Sequence, residues 1–436
     1  MTKAGSDYPK TFEIKPVGFG VGASVHVPGS KSITNRALVL AALCSRDGPC
    51  ELSGALQSED TEVMVDCLQR LGFEIEPHWD RERICMRLNP SSRIIPASQA
   101  DMSVANSGTT MRFLTAMVAL GEGRYRLDGI ARMHERPIFD LLFALNQLGV
   151  HARGESRDGV PPIVVNANGL RGGRVHMRAD VSSQYLSALL MVAPFADGDI
   201  EIALDGPLVS RPYIAMMLAM LKHWQLEFEW DHGRHFRIPG NQKGSCSSYA
   251  IEPDASAASY FFAAAAILRG RVTVLDLPEN SLQGDVHFVD VLEQMGCRIE
   301  KCSSGFTVHG RPLHGIDVDM NAISDTVMTL GAVACFADGP TVIRNVAHIR
   351  HKETDRITAL ATELRKVGAA VEEFADGLKI TPGLLHAAEI ETYNDHRMAM
   401  SMALVGLRVP GIVIRNPGCV SKTYPGFWRD FEKTLR

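Results

Sequence analysis

Six almost wholly apolar stretches recur along the chain, and each follows a short turn rich in Ser, Asp, Asn or Gly. A helix that is apolar on every side must be buried on every side, so the pattern predicts six buried helices. Their recurrence at intervals of roughly 70 to 76 residues indicates one supersecondary unit repeated six times. The turns start at Ser30, Asn106, Asp180, Asp254, Ser324 and Asn394, and the predicted helices span 36–45, 110–120, 185–193, 257–268, 327–336 and 397–407.

A second class of helix, with polar residues along one side, alternates with the first. Most of these helices end at Gly or at a polar turn and are followed by a strand, as at Gly72 and Gly296. Further strands are predicted at 171–177, 271–275 and 341–344. Each unit is therefore about βαβαββ, and the chain is predicted to be an α/β protein. The amphipathic helices are predicted at 59–71, 137–148, 212–224, 286–295 and 353–367, with a short one at 426–435.

The composition narrows the class of protein. The chain has 436 residues, enough for two or more domains, and its net charge of −5 argues against general nucleic-acid binding. Nine cysteines without a Cys-x-x-Cys pair argue against a disulfide framework and against a zinc site. Residues 1–16 lack a signal pattern, and the longest apolar stretch, near 257–268, is too short to span a bilayer. The chain is predicted to be cytoplasmic.

The first helix start, at 28–36, has the features of an anion site. A Pro-Gly turn leads into the helix, whose free backbone N–H groups and dipole make this end positive. Lys31 adds a full charge, and Ser32 and Arg36 lie one turn apart on one face. A phosphate or carboxylate is the natural ligand, and a capped helix with two solvated cations is the alternative. The spacing does not match a phosphate-binding P-loop, because Ser30 separates Gly29 from Lys31.

The next two helix starts repeat this chemistry. Gly108 allows a ligand to approach the backbone closely, with a plain helix cap as the alternative. Arg136 precedes a proline that is predicted to occupy the first position of the next helix, where a solvated charge is the alternative. Adjacent hydroxyls and an amide suit a phosphate or a polyol. The side chains that offer such hydrogen bonds are Asn106, Ser182, Ser183, Gln184, Ser210 and Tyr213.

The last three repeats place charged residues at corresponding points. Asp325 lies at the mouth of a buried helix, where it is either an N-cap or a general base. Lys352 and Arg356 are predicted to share one face of a helix, an arrangement that repels unless an anion bridges them. Arg397 starts the sixth buried helix, and Lys422 precedes the last helix. Because cations and hydroxyls recur at the same end of each repeat, the sequence predicts a shared anion-binding site.

Five motifs together give a specific resemblance. The sequence closely resembles the 5-enolpyruvylshikimate-3-phosphate (EPSP) synthase family, also called 3-phosphoshikimate 1-carboxyvinyltransferases, from about Val27 to the C-terminus. The motifs are Gly-Ser-Lys-Ser-Ile-Thr-Asn-Arg, Asn-Ser-Gly-Thr-Thr-Met-Arg, Ser-Ser-Gln-Tyr, Lys-Glu-Thr-Asp-Arg and Asn-Asp-His-Arg-Met-Ala-Met.

The resemblance implies a two-domain inside-out α/β barrel built from six βαβαββ repeats, three in each domain. The first domain would comprise 1–29 and 252–436, and the second 30–251. The buried helices would be parallel, with their N-termini facing a cleft. This parallel arrangement is implied by the resemblance alone.

The resemblance also implies the reaction. The enolpyruvyl group of phosphoenolpyruvate would pass to the 5-hydroxyl of shikimate 3-phosphate by addition and elimination, with release of phosphate. The partners would be these two small molecules, with no nucleic acid and no membrane, and the enzyme would be a monomer. No metal or organic cofactor is implied.

The motif positions imply roles for individual residues. Asp325 would take the hydroxyl proton, and Glu353 would donate a proton to the methylene of phosphoenolpyruvate, with Lys31 and Lys422 as rivals. Shikimate 3-phosphate would bind Ser32, Arg36, Ser182, Ser183, Gln184, Ser210, Tyr213, Asp325 and Lys352. Phosphoenolpyruvate would bind Lys31, Asn106, Gly108, Arg136, Gln184, Arg356, Arg397 and Lys422.

Three positions depart from the usual family pattern: Phe113 replaces Pro, Thr110 replaces Ala and His348 replaces Asn. The first two flank the Gly108 turn, so we expect weakened inhibition by glyphosate, which competes with phosphoenolpyruvate in this family. The sister enzyme that acts on UDP-N-acetylglucosamine is one alternative, but it would have Lys-Asn in place of Lys31-Ser32 and a cysteine in the second unit. A non-enzymatic repeat scaffold is the other alternative, and it would not bind anions tightly.

Overall fold

The structure is a computed structural model that describes residues 8–91, 93–178 and 180–435. Residues 1–7 and residue 436 lie outside the described residues. Residues 1–7 belong to the predicted first domain and to the segment predicted to lack a signal pattern. The helices of the described residues are α1 Lys31–Cys44, α2 Glu59–Arg70, α3 Gly108–Met117, α4 Phe139–Gln147, α5 Ser183–Val192, α6 Arg211–His223, α7 Ala255–Ile267, α8 Phe288–Gln294, α9 Val327–Ala334, α10 Arg356–Lys366, α11 His396–Gly406 and α12 Phe427–Leu435.

The prediction of six buried helices is confirmed. Every residue of α3, α7, α9 and α11 is buried, and in α5 only Gln184 is not. In α1 burial is complete from Ile33 onward. This helix begins five residues earlier than predicted, because Ser30 caps it by accepting a hydrogen bond from the Ile33 N–H. Lys31 and Ser32 therefore lie in the first turn of α1.

The strands are short and complete the repeat. Within the described residues they are β1 Thr11–Glu13, β2 Gly22–Val25, β3 Cys50–Ser53, β4 Ile75–His78, β5 Arg83–Met86, β6 Gln99–Ser103, β7 Glu122–Asp128, β8 His151–Gly154, β9 Ile163–Asn168, β10 Gly173–Arg178, β11 Ile200–Asp205, β12 Glu229–Trp230, β13 His235–Ile238, β14 Ser248–Ala250, β15 Arg271–Leu275, β16 Arg298–Cys302, β17 Gly305–His309, β18 Asp317–Asp319, β19 Thr341–Arg344, β20 Ala370–Phe374, β21 Gly377–Thr381, β22 Ala388–Ile390 and β23 Ile412–Arg415.

The strands form six small sheets, one for each repeat. In the repeat β6-α3-β7-α4-β8-β9, the two strands around the buried helix pair in parallel, and the closing hairpin adds two antiparallel strands. A parallel pair needs a crossover connection, and the buried helix supplies it. The strand orders are β6-β7-β9-β8, β10-β11-β13-β12, β14-β3-β5-β4, β16-β17-β15-β2, β18-β19-β21-β20 and the three-stranded β1-β23-β22.

The chain forms two compact units. Unit 1 comprises Met1–Gly29 and Glu252–Arg436, and unit 2 comprises Ser30–Ile251. In unit 1, β2 pairs in parallel with β15, which lies more than two hundred residues later in the chain. In unit 2, β14 at the end of the unit pairs in parallel with β3 near its start. In unit 1, β1 also pairs with β23 near the C-terminus, so two sheets of this unit and one sheet of unit 2 join strands from distant parts of the chain.

Within each unit the buried helices meet at their N-terminal halves. In unit 1, hydroxyl groups at similar depth join α7 to α9 and α9 to α11, through Ser259, Thr329 and Ser401. In unit 2, Asn35 of α1 donates a hydrogen bond to Thr109 of α3 at 2.8 Å, and Arg36 donates to Ser187 of α5 at 3.2 Å. These bonds join early or central positions of the buried helices, so the helices of each unit pack against one another there.

Candidate functional site

The start of α1 carries two cations of unit 2. Lys31 Nζ lies 3.7 Å from a carboxylate oxygen of Asp60, and the Lys31 side chain is only 13% exposed. Arg36 is buried, and its Nη1 donates a hydrogen bond to the carbonyl of Ser32 at 3.0 Å. The predicted pairing of Ser32 with Arg36 on one face is thus confirmed. Neither cation is freely solvated, so this alternative to an anion site is wrong.

Arg36 lies against two aromatic rings. Its guanidinium carbon lies 5.1 Å from the centre of the Phe113 ring and 5.8 Å from that of Tyr213. Burial lowers the pKa of Arg36 to about 10, which still leaves the side chain charged at neutral pH. Its Nε is buried and has no hydrogen-bond partner among the described residues. A buried guanidinium with unused hydrogen-bonding capacity is suited to an incoming anion.

A third cation of unit 2, Arg136, lies at the start of α3. Ser107 caps α3, and Gly108 is its first residue. Arg136 is buried, and its Nη1 donates a hydrogen bond to the carbonyl of Asn106 at 3.1 Å. A Cβ atom on Gly108 would lie 2.5 Å from Arg136 Nη2, so the glycine leaves room for this guanidinium. The close approach of a ligand to Gly108 stays a prediction, and the structure adds that the glycine leaves room for the Arg136 guanidinium.

Two details of the prediction for Arg136 are wrong. Helix α4 begins at Phe139, so Pro137 is not its first residue, and Arg136 lies at the end of a 3₁₀ helix, Ala131–Glu135. Ile138 has an extended φ of −144°, which prevents an earlier start. Arg136 is also buried, and the alternative of a solvated charge is wrong.

Polar residues at the starts of α5 and α6 complete the candidate residues of unit 2. Ser182 caps α5, and its hydroxyl oxygen accepts a hydrogen bond from the Gln184 N–H at 3.2 Å. Ser183 is buried at the first position of α5. Ser210 precedes α6 and is also buried, with a left-handed φ of +50°. Tyr213 lies in the first turn of α6, where its ring reaches Arg36.

Unit 1 contains a compact network of charges around Arg356. The Arg356 side chain is 2% exposed, and it donates hydrogen bonds to three carboxylates. Its Nη1 lies 3.1 Å from Asp325, its Nη2 lies 2.9 Å from Glu353, and its Nε lies 2.8 Å from Asp395. Burial by itself lowers the pKa of Arg356, but the three carboxylates outweigh it and raise the pKa above its ordinary value.

Three further cations extend this network. Arg397 Nη2 donates a hydrogen bond to Asp325 at 2.7 Å, and Lys352 Nζ lies 4.0 Å from the same carboxylate. Lys422 Nζ, which is buried, lies 4.0 Å from Glu353. We call these seven side chains the unit 1 charge cluster: Asp325, Lys352, Glu353, Arg356, Asp395, Arg397 and Lys422.

The predicted helix start at 353 is wrong. Helix α10 begins at Arg356, after Asp355, which caps it by accepting a hydrogen bond from the Thr358 N–H. Lys352 is in an extended conformation outside the helix. Lys352 and Arg356 therefore do not share a helix face, and the carboxylate of Asp325 lies between their charges.

Asp325 does not act as a helix cap. It lies in the 3₁₀ helix Asn321–Thr326, and the residue before α9 is Thr326. Its two carboxylate oxygens instead accept hydrogen bonds from Arg356 and Arg397. An ionised carboxylate with cations on both oxygens is available to accept a proton once another anion competes for those cations.

The sequence did not single out Asp395 as a site residue. Its carboxylate accepts hydrogen bonds from Arg356 and from the Arg397 N–H, so it caps α11 and holds the central cation. An Asp immediately before an apolar helix usually serves as the helix cap, so the sequence did not indicate that Asp395 also binds Arg356.

Within the described residues, no group of three or more His, Cys, Asp and Glu side chains is arranged to hold a metal ion. No helix in the described part of the chain is long and apolar enough to cross a membrane.

His348, one of the departures from the family pattern, lies beside the charge cluster. Burial, together with the charge of Lys352, lowers the pKa of His348 to about 4. A buried histidine with a lowered pKa stabilises the fold while it is neutral. We therefore expect this contribution to be complete above about pH 6.5 and lost as the pH falls from there to about 4, by about 3 kcal/mol in all.

Urea unfolding between about pH 4 and 7 measures this effect as the difference between the wild type and His348→Asn. The wild type should lose more unfolding free energy than the variant over that range. His314→Asn, at an exposed histidine paired with Asp338, is the control and should follow the wild type. Equal losses in all three proteins would contradict a neutral, buried His348.

Comparison with known proteins gives a family match over most of the chain. The model of the family described as EPSP synthase (3-phosphoshikimate 1-carboxyvinyltransferase) matches residues 19–431. A 3-phosphoshikimate 1-carboxyvinyltransferase of Nostoc punctiforme is 49% identical over 98% of this chain and 99% of its own length. One from Aeromonas salmonicida is 46% identical over 94% of this chain and 95% of its own length.

A solved structure has a similar fold. The EPSP synthase of Acinetobacter baumannii aligns with a TM-score of 0.79 at 24% sequence identity, over 98% of this chain and 99% of that one. The predicted α/β class, with two sets of three βαβαββ repeats, agrees with this similarity.

Proposed function

The chain belongs to the EPSP synthase (3-phosphoshikimate 1-carboxyvinyltransferase) family, and from this premise we propose how its residues carry out the reaction. The enzyme transfers the enolpyruvyl group of phosphoenolpyruvate to the 5-hydroxyl of shikimate 3-phosphate and releases phosphate. The observation that carries this function is the match to curated relatives along nearly the full length of both chains. Both substrates are small, multiply charged anions, in agreement with the buried cations of the two units.

We assign shikimate 3-phosphate mainly to unit 2. Arg36 supplies a buried positive charge for the phosphate or carboxylate of this substrate, and the Tyr213 ring lies against the Arg36 guanidinium. The serine hydroxyls at helix starts can donate hydrogen bonds to phosphate or sugar oxygens. The full set for this substrate is Ser32, Arg36, Ser182, Ser183, Gln184, Ser210, Tyr213, Asp325 and Lys352.

We assign the remaining cations to phosphoenolpyruvate. A tetrahedral addition intermediate carries more concentrated negative charge than the planar substrate, so fixed cations stabilise it more strongly. Arg136 donates a hydrogen bond to the carbonyl of Asn106, and Gly108 leaves room for the Arg136 guanidinium. The full set is Lys31, Asn106, Gly108, Arg136, Gln184, Arg356, Arg397 and Lys422.

Asp325 is the proposed base for the hydroxyl proton. Arg356 and Arg397 donate hydrogen bonds to its two carboxylate oxygens in the free protein. When anionic substrates compete for the charges of Lys352 and Arg397, an oxygen of Asp325 becomes available to accept the hydroxyl proton. Glu353, bound by Arg356 and 4.0 Å from Lys422, is the proposed proton donor to the methylene, with Lys31 and Lys422 as the rival donors.

We further propose that 1–29 with 252–436 and 30–251 act as two domains that both contribute to one reaction. The enzyme is proposed to be a cytoplasmic monomer that uses no metal or organic cofactor and binds neither nucleic acid nor membranes. Size-exclusion chromatography with light scattering tests the monomer. Unchanged activity after dialysis against a chelator tests the absence of a metal.

The second candidate is transfer to UDP-N-acetylglucosamine. Side-by-side assays with phosphoenolpyruvate and either acceptor decide between the two. We expect phosphate release with shikimate 3-phosphate alone. Release with the nucleotide sugar and none with shikimate 3-phosphate would reverse the assignment, and calorimetry that finds no binding of either acceptor would favour a non-enzymatic scaffold.

Gly108→Ala is expected to weaken phosphoenolpyruvate binding. The added methyl group would meet the Arg136 guanidinium at 2.5 Å, so this buried cation must move from its present position. We expect the KM for phosphoenolpyruvate to rise by about tenfold, with a smaller change in kcat. Gly339→Ala is the matched control, because a Cβ atom there meets nothing within 4 Å. Equal KM values for the two variants would contradict this role of Gly108.

The expectation of weak glyphosate inhibition also concerns α3. Thr110 is buried and shares a hydrogen bond with the capping hydroxyl of Ser107 at 2.8 Å, while Phe113 lies against Arg36. Replacing Thr110 with Ala restores the residue frequent in the family. We expect the inhibition constant of glyphosate to fall several-fold in Thr110→Ala, and an unchanged constant would show that Thr110 does not set the sensitivity.

A further inference from the structure

A fourth carboxyl group lies beside the unit 1 charge cluster and has no role in the mechanism above. Asp285 is fully buried in the 3₁₀ helix Gly284–His287, which packs against α7 and against the 3₁₀ helix that carries Asp325. One of its oxygens shares a hydrogen bond with the hydroxyl of Ser256, in the first turn of α7. Ser256 in turn accepts a hydrogen bond from Arg397 Nη2 at 3.4 Å.

The other carboxyl oxygen of Asp285 is buried and has no hydrogen-bond partner among the described residues. An ionised carboxylate that is buried and half-satisfied is costly, and a protonated one is much less so. The groups that face it from the surrounding elements are Asp254, which caps α7, Ser256 from α7, Asp325 from its 3₁₀ helix, and Arg397 from α11. Burial first, and then the charge of Asp325, raises the pKa of Asp285, against the opposing effects of Arg397 and Ser256.

The protonation of Asp285 decides the net charge of this part of unit 1. The charge cluster contains four cations and three carboxylates, which leaves one positive charge when Asp285 is neutral. An ionised Asp285 would cancel that charge. It would also compete with an anionic ligand for Arg397.

We propose that Asp285 is a further functional carboxyl group, which holds a proton in the resting enzyme so that the charge cluster keeps a net positive charge for phosphoenolpyruvate. It acts on Arg397 by its charge and is therefore a positioning residue that does not itself touch the substrate. This inference rests on the proposed function, in which Arg397 binds phosphoenolpyruvate.

The test is the KM for phosphoenolpyruvate between about pH 7 and 9, where the substrate phosphate is already fully ionised. In the wild type, ionisation of Asp285 should raise KM by about tenfold over this range, the effect of one added charge a few ångströms away. In Asp285→Asn the side chain cannot ionise, so this rise should be absent. The side chains of the charge cluster are the same in every variant, so their effect on KM is common to all of them.

Asp290→Asn is the matched control, because Asp290 lies on the next helix, is exposed and pairs with His287 on the surface. It should keep the wild-type rise in KM. A purely structural role for Asp285 would change KM or kcat equally at every pH. The same rise in Asp285→Asn as in the wild type, or a wild type without the rise, would overturn the proposal.

Ser256→Ala gives a second test that does not need Asp285→Asn to fold. Loss of the hydroxyl removes a bond that favours the ionised form of Asp285, so the rise in KM should move to higher pH. A rise at the wild-type pH would overturn the proposal. If the wild type releases no phosphate at any pH, the proposed function itself fails. That outcome is distinct from a changed pH dependence of KM in the Asp285 and Ser256 variants.

Discussion

Asp325→Asn is expected to lower kcat by about 10²- to 10⁴-fold, the usual contribution of a general base. The amide keeps the shape of the carboxylate and can still accept a hydrogen bond from Arg356 or Arg397, but it cannot take up the hydroxyl proton. Because the substrates are held mainly by cations that remain, we expect their dissociation constants to change much less than kcat. Steady-state kinetics and calorimetry with shikimate 3-phosphate measure the two quantities.

The control for this variant is Asp338→Asn, at an exposed carboxylate paired with His314. It should keep the wild-type kcat. Thermal unfolding of both variants separates a catalytic loss from a folding defect. A kcat near the wild-type value in Asp325→Asn would exclude Asp325 as the base, whatever its effect on binding.

Arg356→Met is expected to lower the free energy of unfolding by about 3–5 kcal/mol, the usual cost of removing one partner from a buried ion pair. The guanidinium is 2% exposed and is shared by Asp325, Glu353 and Asp395, so its loss leaves three carboxylates facing one another. Urea unfolding measures the change.

Arg344→Met is the matched control for Arg356→Met. Arg344 also forms a two-bond pair with a carboxylate, Asp317, but its side chain is 60% exposed. Exposed pairs contribute about 1 kcal/mol or less, so this variant should be nearly as stable as the wild type. Similar unfolding free energies for Arg356→Met and Arg344→Met would contradict the view that Arg356 holds the cluster together.

The six buried helices could be predicted from the sequence because a helix that is apolar on every side must be buried on every side. Helix α7 is the clearest case, since all thirteen of its residues are buried. The helix starts were also predictable, because caps and small residues leave a local signal. Lys31 and Gly108 are examples in which a local pattern correctly placed a residue in the first turn of a buried helix.

Pairings between distant residues could not be predicted in this way. Lys352 and Arg356 are four residues apart, and that spacing suggested one helix face, but Asp355 caps the helix later and the carboxylate of Asp325 lies between the two cations. Asp395 and Asp285 had no local feature beyond an acid near a helix. Their roles depend on packing against residues that are remote in the chain.

The most direct test of the account is phosphate release by the purified protein given shikimate 3-phosphate and phosphoenolpyruvate together. We expect one phosphate for each enolpyruvyl ether formed, with neither substrate giving phosphate alone. Absence of phosphate release with both substrates present, in protein that is folded and binds shikimate 3-phosphate, would contradict the assignment of the charge cluster to enolpyruvyl transfer.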